Sequence, residues 1–325
     1  MSMSSDPTSI WATREQILIG QGNVDRLDPG TGPGRYARAL DALRSSGRSL
    51  ALASFTFDID EPGSIVEIPE RVETVSAADL TLHNGQWSGS VVSTGYDDWT
   101  SGLAGALETI AADVVEKVVL TRQVEMTFSD DLDIRSIVAR LISAEPDSFT
   151  FAVDGLVGAS PELLVSLRNG HITSLALAGT AVEAAELSSD KMDREHSLSQ
   201  SSVEMGLAPH VMALDVDDRT VLQFGDLKHL ATRFDGRARP ETTVLDVLAS
   251  LHPTAAVAGT PKDTAMKTIK DLEPRSRGRY AGPVGWFDSA GDGEFAIALR
   301  CGLLRGREAT LYAGGGIVAG SDADA

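Results

Sequence analysis

Residues 162–177, ELLVSLRNGHITSLAL, hold the clearest local signal in this chain. Two apolar runs, Glu162 to Leu167 and His171 to Leu177, flank Arg168-Asn169-Gly170. Asn-Gly supplies the two positive-φ residues of a type I′ turn, which predicts an antiparallel hairpin. Before it, Ser148 to Val153 alternates as a further strand. After it, Ser189 to about Leu207 has helical spacing, with Ser188 or Ser189 as N-cap. Further upstream, an amphipathic helix is predicted over Trp99 to Glu116, with Leu103, Leu107, Ile110, Val114 and Val115 on one side. It leads into a strand from Lys117 to Phe128, and Ile134 to Ala144 reads as another helix.

Towards the C-terminus, helices are expected near Thr243 to Leu251 and Thr264 to Leu272, then strands at Gly282 to Asp288, Phe295 to Leu303 and Ala309 to Tyr312. The N-terminal part reads as short strands, Gln16 to Gly20, Ser49 to Phe57, Ser64 to Pro69 and Ala78 to His83. Between them lie a GQGNVDRLDPGTGPG loop and a helix over Arg35 to Ser45. Strands come as hairpins with helices gathered between them, not as a βαβ alternation. The expectation is an α+β architecture of antiparallel sheets with packed helices. No Pro/Gly/Ser linker divides the chain, so residues 1–325 read as one domain.

The composition, 42% hydrophobic and 23% charged, is that of a globular protein. A net charge of -19, with 28 basic against 47 acidic residues, excludes the basic footprint that nucleic acid needs. The same charge repels a small anion, so a site for one must carry its own cations or a metal. The single cysteine, Cys301, forms no internal disulfide and suits a reducing compartment. MSMSSDPTSI lacks the pattern of a secretory signal and no apolar run is long enough for a membrane span. A soluble cytoplasmic protein is expected.

Taken singly, the reactive residues have ordinary explanations. A lysine opening a Val-Val-Leu strand, as Lys117 does, is usually an edge charge. Glu162 after Ser-Pro fits a solvated carboxylate. Glu195 and His196 are helix neighbours that point to different faces, a poor two-ligand metal site. The six histidines show no zinc spacing. AGGGIVAGS (313–321) could cradle an anion on backbone N–H groups, but it lacks the features of a P-loop. Neither Ser160 nor Ser201 sits in a GxSxG elbow.

Eight segments taken in order are similar to the chorismate-binding enzymes, the isochorismate, salicylate, anthranilate and aminodeoxychorismate synthases. They are EKVVLTR (116–122), FAVDGLVGASPELL (151–164), LALAGT (175–180), KMDREH (191–196), LHPTAAVAGTP (251–261), RGRYAGPVGW (277–286), FAIALRCGLL (295–304) and LYAGGGIV (311–318). The resemblance runs from about Lys117 to Gly320, while residues 1–95 match less clearly and 96–325 form the implied catalytic core. It implies two large antiparallel β-sheets in a sandwich with surrounding helices, and an active site in the cleft.

Single positions within the resemblance separate the reactions. Lys117 stands where members that attack with water carry lysine and anthranilate synthases carry glutamine. Ala178 replaces the nucleophilic lysine of aminodeoxychorismate synthases, and Met192 an extra glutamate of amine-forming members. LHPTAAVAGTP is similar to isochorismate synthases, although Lys262 blurs that contrast. The implied activity is that of an isochorismate synthase, a Mg²⁺-dependent isomerase. It adds water at C2 of chorismate as the C4 hydroxyl leaves, feeding siderophore or menaquinone biosynthesis. A salicylate synthase, which goes on to eliminate pyruvate, is the alternative, and a non-catalytic chorismate-binding protein is a third reading.

By the same resemblance Lys117 is the base, which must be neutral to act, and Glu162 the acid, whose pKa must be raised. Glu195 is a Mg²⁺ ligand and Arg300 holds the enolpyruvyl carboxylate. Ala178, Gly179, Thr180, His252, Tyr280, Gly314, Gly315 and Gly316 fall at substrate-contact positions, with His252 lining the same pocket. No amidotransferase segment is present, so no such subunit is expected, and the family points to a monomer. After the Gly-rich stretch the family continues into a helix beginning roughly Glu-Trp-x-Glu-Thr, which supplies a second metal glutamate and a lysine. Here the sequence ends at SDADA, where Asp322 or Asp324 could stand in as a ligand.

Overall fold

The computed structural model describes residues 9–76, 87–182 and 187–321. In chain order the elements begin with β1 (Ile10–Ala12), β2 (Ile17–Leu27), α1 (Arg35–Ser46), β3 (Leu50–Ser54), β4 (Ile65–Val75), β5 (Gly89–Ser93), α2 (Tyr96–Ala111), β6 (Lys117–Phe128) and α3 (Ile134–Ala144). The middle holds β7 (Phe149–Val153), β8 (Leu156–Ser160), β9 (Leu163–Arg168), β10 (His171–Ala181), α4 (Asp190–Leu207), β11 (Val211–Val216), β12 (Thr220–Phe224) and β13 (Leu227–Ala238). Then come α5 (Val244–Leu251), β14 (Gly259–Thr260), α6 (Lys262–Leu272), β15 (Pro283–Asp288), β16 (Gly293–Ile297), β17 (Cys301–Arg305) and β18 (Glu308–Val318).

The predicted hairpin forms: Asn169 and Gly170 take φ of 52° and 76°, and β9 pairs with β10 across them. From there the antiparallel ladder extends both ways, in the order β6–β18–β17–β8–β7–β1–β2–β4–β3–β15–β16–β9–β10–β13. β14 and β5 share the other edge of β6, and β11 and β12 share that of β13. The architecture is the expected α+β, with the layers of the sandwich hydrogen-bonded into one unclosed sheet. β6 and β13, next to the two ends of this ladder, both reach the pocket described below, so the sheet folds back until its two sides enclose a cleft.

The main core is built from fully buried aromatics, among them Trp11, Phe55, Phe151, Phe234, Phe287 and Phe295. Burying side chains of this size is the dominant favourable term in folding. A second cluster lies under α3, where Val138 meets Ile10, Ile17 and Val157. The helix starts follow the sequence: Ser189 Oγ accepts from Met192 N, and Thr243 with Asp246 forms a complete capping box.

Four expectations change. The GQGNVDRL segment is not loop: β2 runs on to Leu27 through a bulge at Gly22, whose φ of 78° absorbs the extra residue. The helix ends at Ala111 rather than Glu116, because Asp113 turns the chain at φ 57° and leaves Val114 48% exposed. Phe295 to Leu303 is two strands, broken at Arg300 with φ 47°. The strands β11 to β13 were not read from the sequence at all. The Ala78 to His83 strand lies outside the described residues. Among those described, no helix is long and apolar enough to cross a membrane.

Candidate active site

A cavity of about 540 Å³ opens between β6, β18, β10 and the start of α4. Lys117, the first residue of β6, is 1% exposed, and its Nζ lies 2.9 Å from Glu195 Oε1 on α4. A buried amine is tolerated when a carboxylate partner is this close. Helix phase brings Glu195 here: Met192 and Glu195, one turn apart, both line the cavity. His196 faces away from it, into the core, with Nε2 2.8 Å from Thr232 Oγ1. The neighbours thus point to different faces, as the helical spacing implied.

The glycines of β18 make room for this pair. A Cβ on Gly316 would stand 2.6 Å from Glu195 Oε1 and 3.1 Å from Lys117 Cε. On Gly314 it would stand 3.0 Å from the Tyr280 hydroxyl, and on Gly315 3.4 Å from the Trp99 ring. Gly314 to Gly316 are also paired in register with Thr121, Leu120 and Val119 of β6. The stretch is therefore a strand whose missing side chains shape the cavity, and the anion-cradling loop reading is corrected.

On the other side, Glu162 sits between β8 and β9 just after Pro161. Its backbone is fixed at both ends: Glu162 N donates to Ser160 Oγ at 3.2 Å, and Ile297 N donates to Glu162 O at 3.1 Å. The carboxyl group has no hydrogen-bond partner among the described residues and is 5% exposed. Burial pushes its pKa up to about 8, against a smaller opposing pull from the positive charge of Lys117.

Arg300 occupies the corner between β16 and β17 in a left-handed conformation that costs a non-glycine residue about 1–2 kcal/mol. Such a cost at a pocket residue is a mark of functional placement. Its Nη2 donates to His229 Nε2 at 3.3 Å, and its Nη1 is 4.0 Å from Glu145. Burial, with Arg300 adding to it, lowers the His229 pKa to about 4, so the imidazole is neutral and can accept. Tyr280 stacks on Tyr312 at 4.9 Å and 9°, and burial raises both phenol pKa values, that of Tyr312 to about 12.

Lys117, Glu162, Ala178, Gly179, Glu195, Tyr280, Arg300 and Gly314 to Gly316 therefore line one cavity. Thr180 pairs with His229 in the ladder, but its side chain lies outside the described residues. His252 is the exception. It is 6% exposed and lies off the cavity wall, with its Nε2 donating to Phe57 O at 3.0 Å and its ring edge-on to Phe57. Burial drops its pKa to about 3. Sequence reasoning missed His229, Arg277 and Tyr312, all of which line the cavity. For Tyr312 the signal was present, since it precedes the glycines by the period-2 spacing of a strand face.

For Mg²⁺, the described residues offer the Glu195 carboxylate facing the cavity, since Glu162 there holds its proton, and no cluster of three metal-binding side chains. Mg²⁺ is commonly held by one or two carboxylates together with substrate and water oxygens, so Glu195 fits one position of its shell. Asp322 and Asp324 lie outside the described residues.

Comparison with known proteins gives a consistent result. The family model described as "Chorismate binding enzyme" matches residues 58–325. The isochorismate synthase DhbC of Bacillus subtilis is 32% identical over 335 residues, spanning 93% of this chain and 82% of that protein. Other isochorismate synthases align over shorter stretches, down to 51% of the relative's length. Among solved structures, DhbC from Bacillus anthracis superposes with a TM-score of 0.86 at 26% identity, covering 97% of this chain and 91% of the other. The menaquinone-specific isochorismate synthase MenF from Escherichia coli gives 0.80 at 25% identity, covering 99% and 85%.

Proposed function

This chain belongs to the chorismate-binding enzyme family, and from that premise we propose that it is an isochorismate synthase, converting chorismate to isochorismate. The observation that carries the reading is Glu162. An acid held at about 8 keeps its proton at neutral pH and can deliver it to a leaving hydroxyl. In the proposed reaction Lys117, in its neutral form, takes a proton from water as the water oxygen bonds to C2. The ring double bond shifts, the C4–O bond breaks, and the departing oxygen takes the proton of Glu162 to leave as water. The net change is an isomerisation.

The other cavity residues bind and orient. Arg300 directs its guanidinium into the cavity with His229 holding one nitrogen, which suits a carboxylate partner. Ala178, Gly179 and the β18 glycines leave the walls flat for a ring, and the Tyr280 hydroxyl faces that space. Thr180 belongs to the same proposed contact set by its place in β10. Mg²⁺, held by Glu195 and the ring carboxylate of chorismate, would supply an electrostatic clamp on that carboxylate. Because the nucleophile is water, the scheme calls for no ammonia-delivering subunit, and a single chain carries every residue it uses.

Chromatography of chorismate incubated with the protein, with Mg²⁺ or with EDTA and with a coupled pyruvate assay, tests the reading. Isochorismate without pyruvate, lost in EDTA, is the expected outcome. Salicylate with equimolar pyruvate would instead make the chain a salicylate synthase. Full turnover by Lys117→Ala would overturn the mechanism.

A further inference from the structure

Among the described residues, β6 has no strand partner on one edge from Val119 to Val124, where it passes the cavity. β14 pairs only with Lys117 and Val118, and β5 only with residues 125–128. Yet Lys117, Val119 and Thr121 all face the cavity, on the same side of the strand. A strand edge left loose here could twist, and any twist would move the lysine at its end.

Two side chains fill the gap. Arg277 Nη2 donates to Val119 O at 2.6 Å, and Thr121 N donates to Glu273 Oε1 at 2.8 Å. One acceptor and one donor on the free edge, two residues apart, are thus met as a neighbouring strand would meet them. The pair is itself fixed. Arg277 Nε and Nη2 reach the two oxygens of Glu273 at 2.8 and 2.7 Å, the two-pronged geometry in which guanidinium and carboxylate bind most strongly. Arg277 Nη1 donates to Val257 O at 2.9 Å, and the guanidinium lies 4.2 Å from the Phe57 ring centroid. Val119 N donates in turn to Ala258 O at 2.9 Å, so the same edge is tied to the segment that follows α5. Arg277 is 3% exposed and lines the cavity, but its nitrogens are engaged by the protein.

We infer that Arg277 and Glu273 are positioning residues for the proposed base, a side-chain pair that stands in for a strand and fixes the β6 edge beside Lys117. The inference rests on the reading of Lys117 as the base. A lysine in place of Arg277 keeps a charge but has no planar fork to span Val119 O, Val257 O and Glu273 at once. Glu273→Gln keeps an acceptor for Thr121 N and weakens the fork.

The experiment compares kcat and KM for chorismate in the wild type, Lys117→Ala, Arg277→Lys, Arg277→Met and Glu273→Gln, with melting temperatures to establish folding. Positioning predicts that Arg277→Lys and Arg277→Met lose kcat alike, by about 10- to 100-fold, with KM within about threefold. Glu273→Gln, the milder change, loses about 3- to 10-fold and serves alone if the arginine variants do not fold. Restoration of kcat by lysine would make the role one of charge and overturn the inference. A raised KM with intact kcat would make Arg277 a substrate contact and overturn it too. If Lys117→Ala is inactive while folded Arg277→Lys and Glu273→Gln match the wild type, only the positioning role fails. If Lys117→Ala turns over normally, the reading of the base fails instead.

Discussion

The two sides of the cavity bury a titratable group in opposite ways. On one side Lys117 is almost fully enclosed but has Glu195 2.9 Å away, with strand glycines cleared to admit the pair. On the other, Glu162 is equally enclosed and its carboxyl group has no partner among the described residues. Burial alone disfavours either charged form, and a close partner restores it. The difference teaches that burial without a partner keeps a carboxyl group protonated, while a close partner holds a buried side chain in place. A cavity whose scheme needs a placed base and a protonated acid obtains both from a lysine and a glutamate in the same core.

Removing the acid should break the comparison most sharply. Glu162→Gln keeps shape and burial but cannot donate, so kcat should fall about 10³-fold, the range for loss of a general acid, with KM little changed. Stability should move the other way. A folded pKa of about 8 lies above the unfolded carboxylate value near 4.5, so stability from this group is fully present below about 4.5 and lost as pH rises through about 8. Glutamine has no charge to desolvate. The variant should therefore melt higher than wild type at pH 9, by an amount on the order of 4 kcal/mol, and match it near pH 5. A variant that melts lower at pH 9 would mean that the carboxylate has a partner after all.

Wild-type activity should carry the same signature. Above about pH 8 Glu162 loses its proton, and kcat should decline about tenfold per pH unit. In Gly316→Ala the new Cβ meets the Lys117–Glu195 pair directly, at 2.6 Å from Oε1. Pushing the partners apart should cost about 1–3 kcal/mol of stability, as overpacking does. It should also cost on the order of 10-fold in kcat through misplacement of the lysine. Unchanged kinetics in that variant would show that the close pairing is irrelevant to turnover.

How much of this was legible depended on whether a residue's role is local. The Asn169-Gly170 turn, the limits of β6 and of α3, and the serine cap at the start of α4 follow from nearest neighbours, and sequence reading found them. The break at Arg300 has no glycine or proline at the corner itself, where Ala298, Leu299 and Arg300 stand inside a run that is otherwise apolar. Glycines misled in both directions. Gly22 read as a loop but supplies a bulge inside a strand, and Gly314 to Gly316 read as an anion loop but clear space for side chains from Tyr280, Trp99 and Glu195. Those side chains come from elements far apart in sequence, which no local pattern encodes. His229 was invisible for the same reason, since the Arg300 it holds lies 71 residues away. The candidate site itself came from the ordered motifs, while the physical state of each group needed the packing.

His252 marks the outer limit of the comparison, because it is buried like Lys117 and Glu162 but lies off the cavity wall. Its lowered pKa, about 3, comes first from burial, with a partly opposing bond to Phe57 O and further lowering from nearby cations. The neutral ring donates to that carbonyl, and its Nδ1 has no partner among the described residues. His252→Asn should therefore cost about 1–2 kcal/mol through a poorer bond to Phe57 O, read as a lower melting temperature at pH 7. The folded value lies below the unfolded 6.5, so the histidine contributes stability above about 6.5 that is lost as pH falls towards 3. The melting difference between wild type and variant should accordingly shrink between pH 7 and pH 4. Because the ring touches neither side of the cavity, kcat and KM should stay within about twofold of wild type. A KM raised tenfold with stability unchanged would return His252 to the substrate contacts, and would mean that the cavity extends past Phe57 when chorismate is bound.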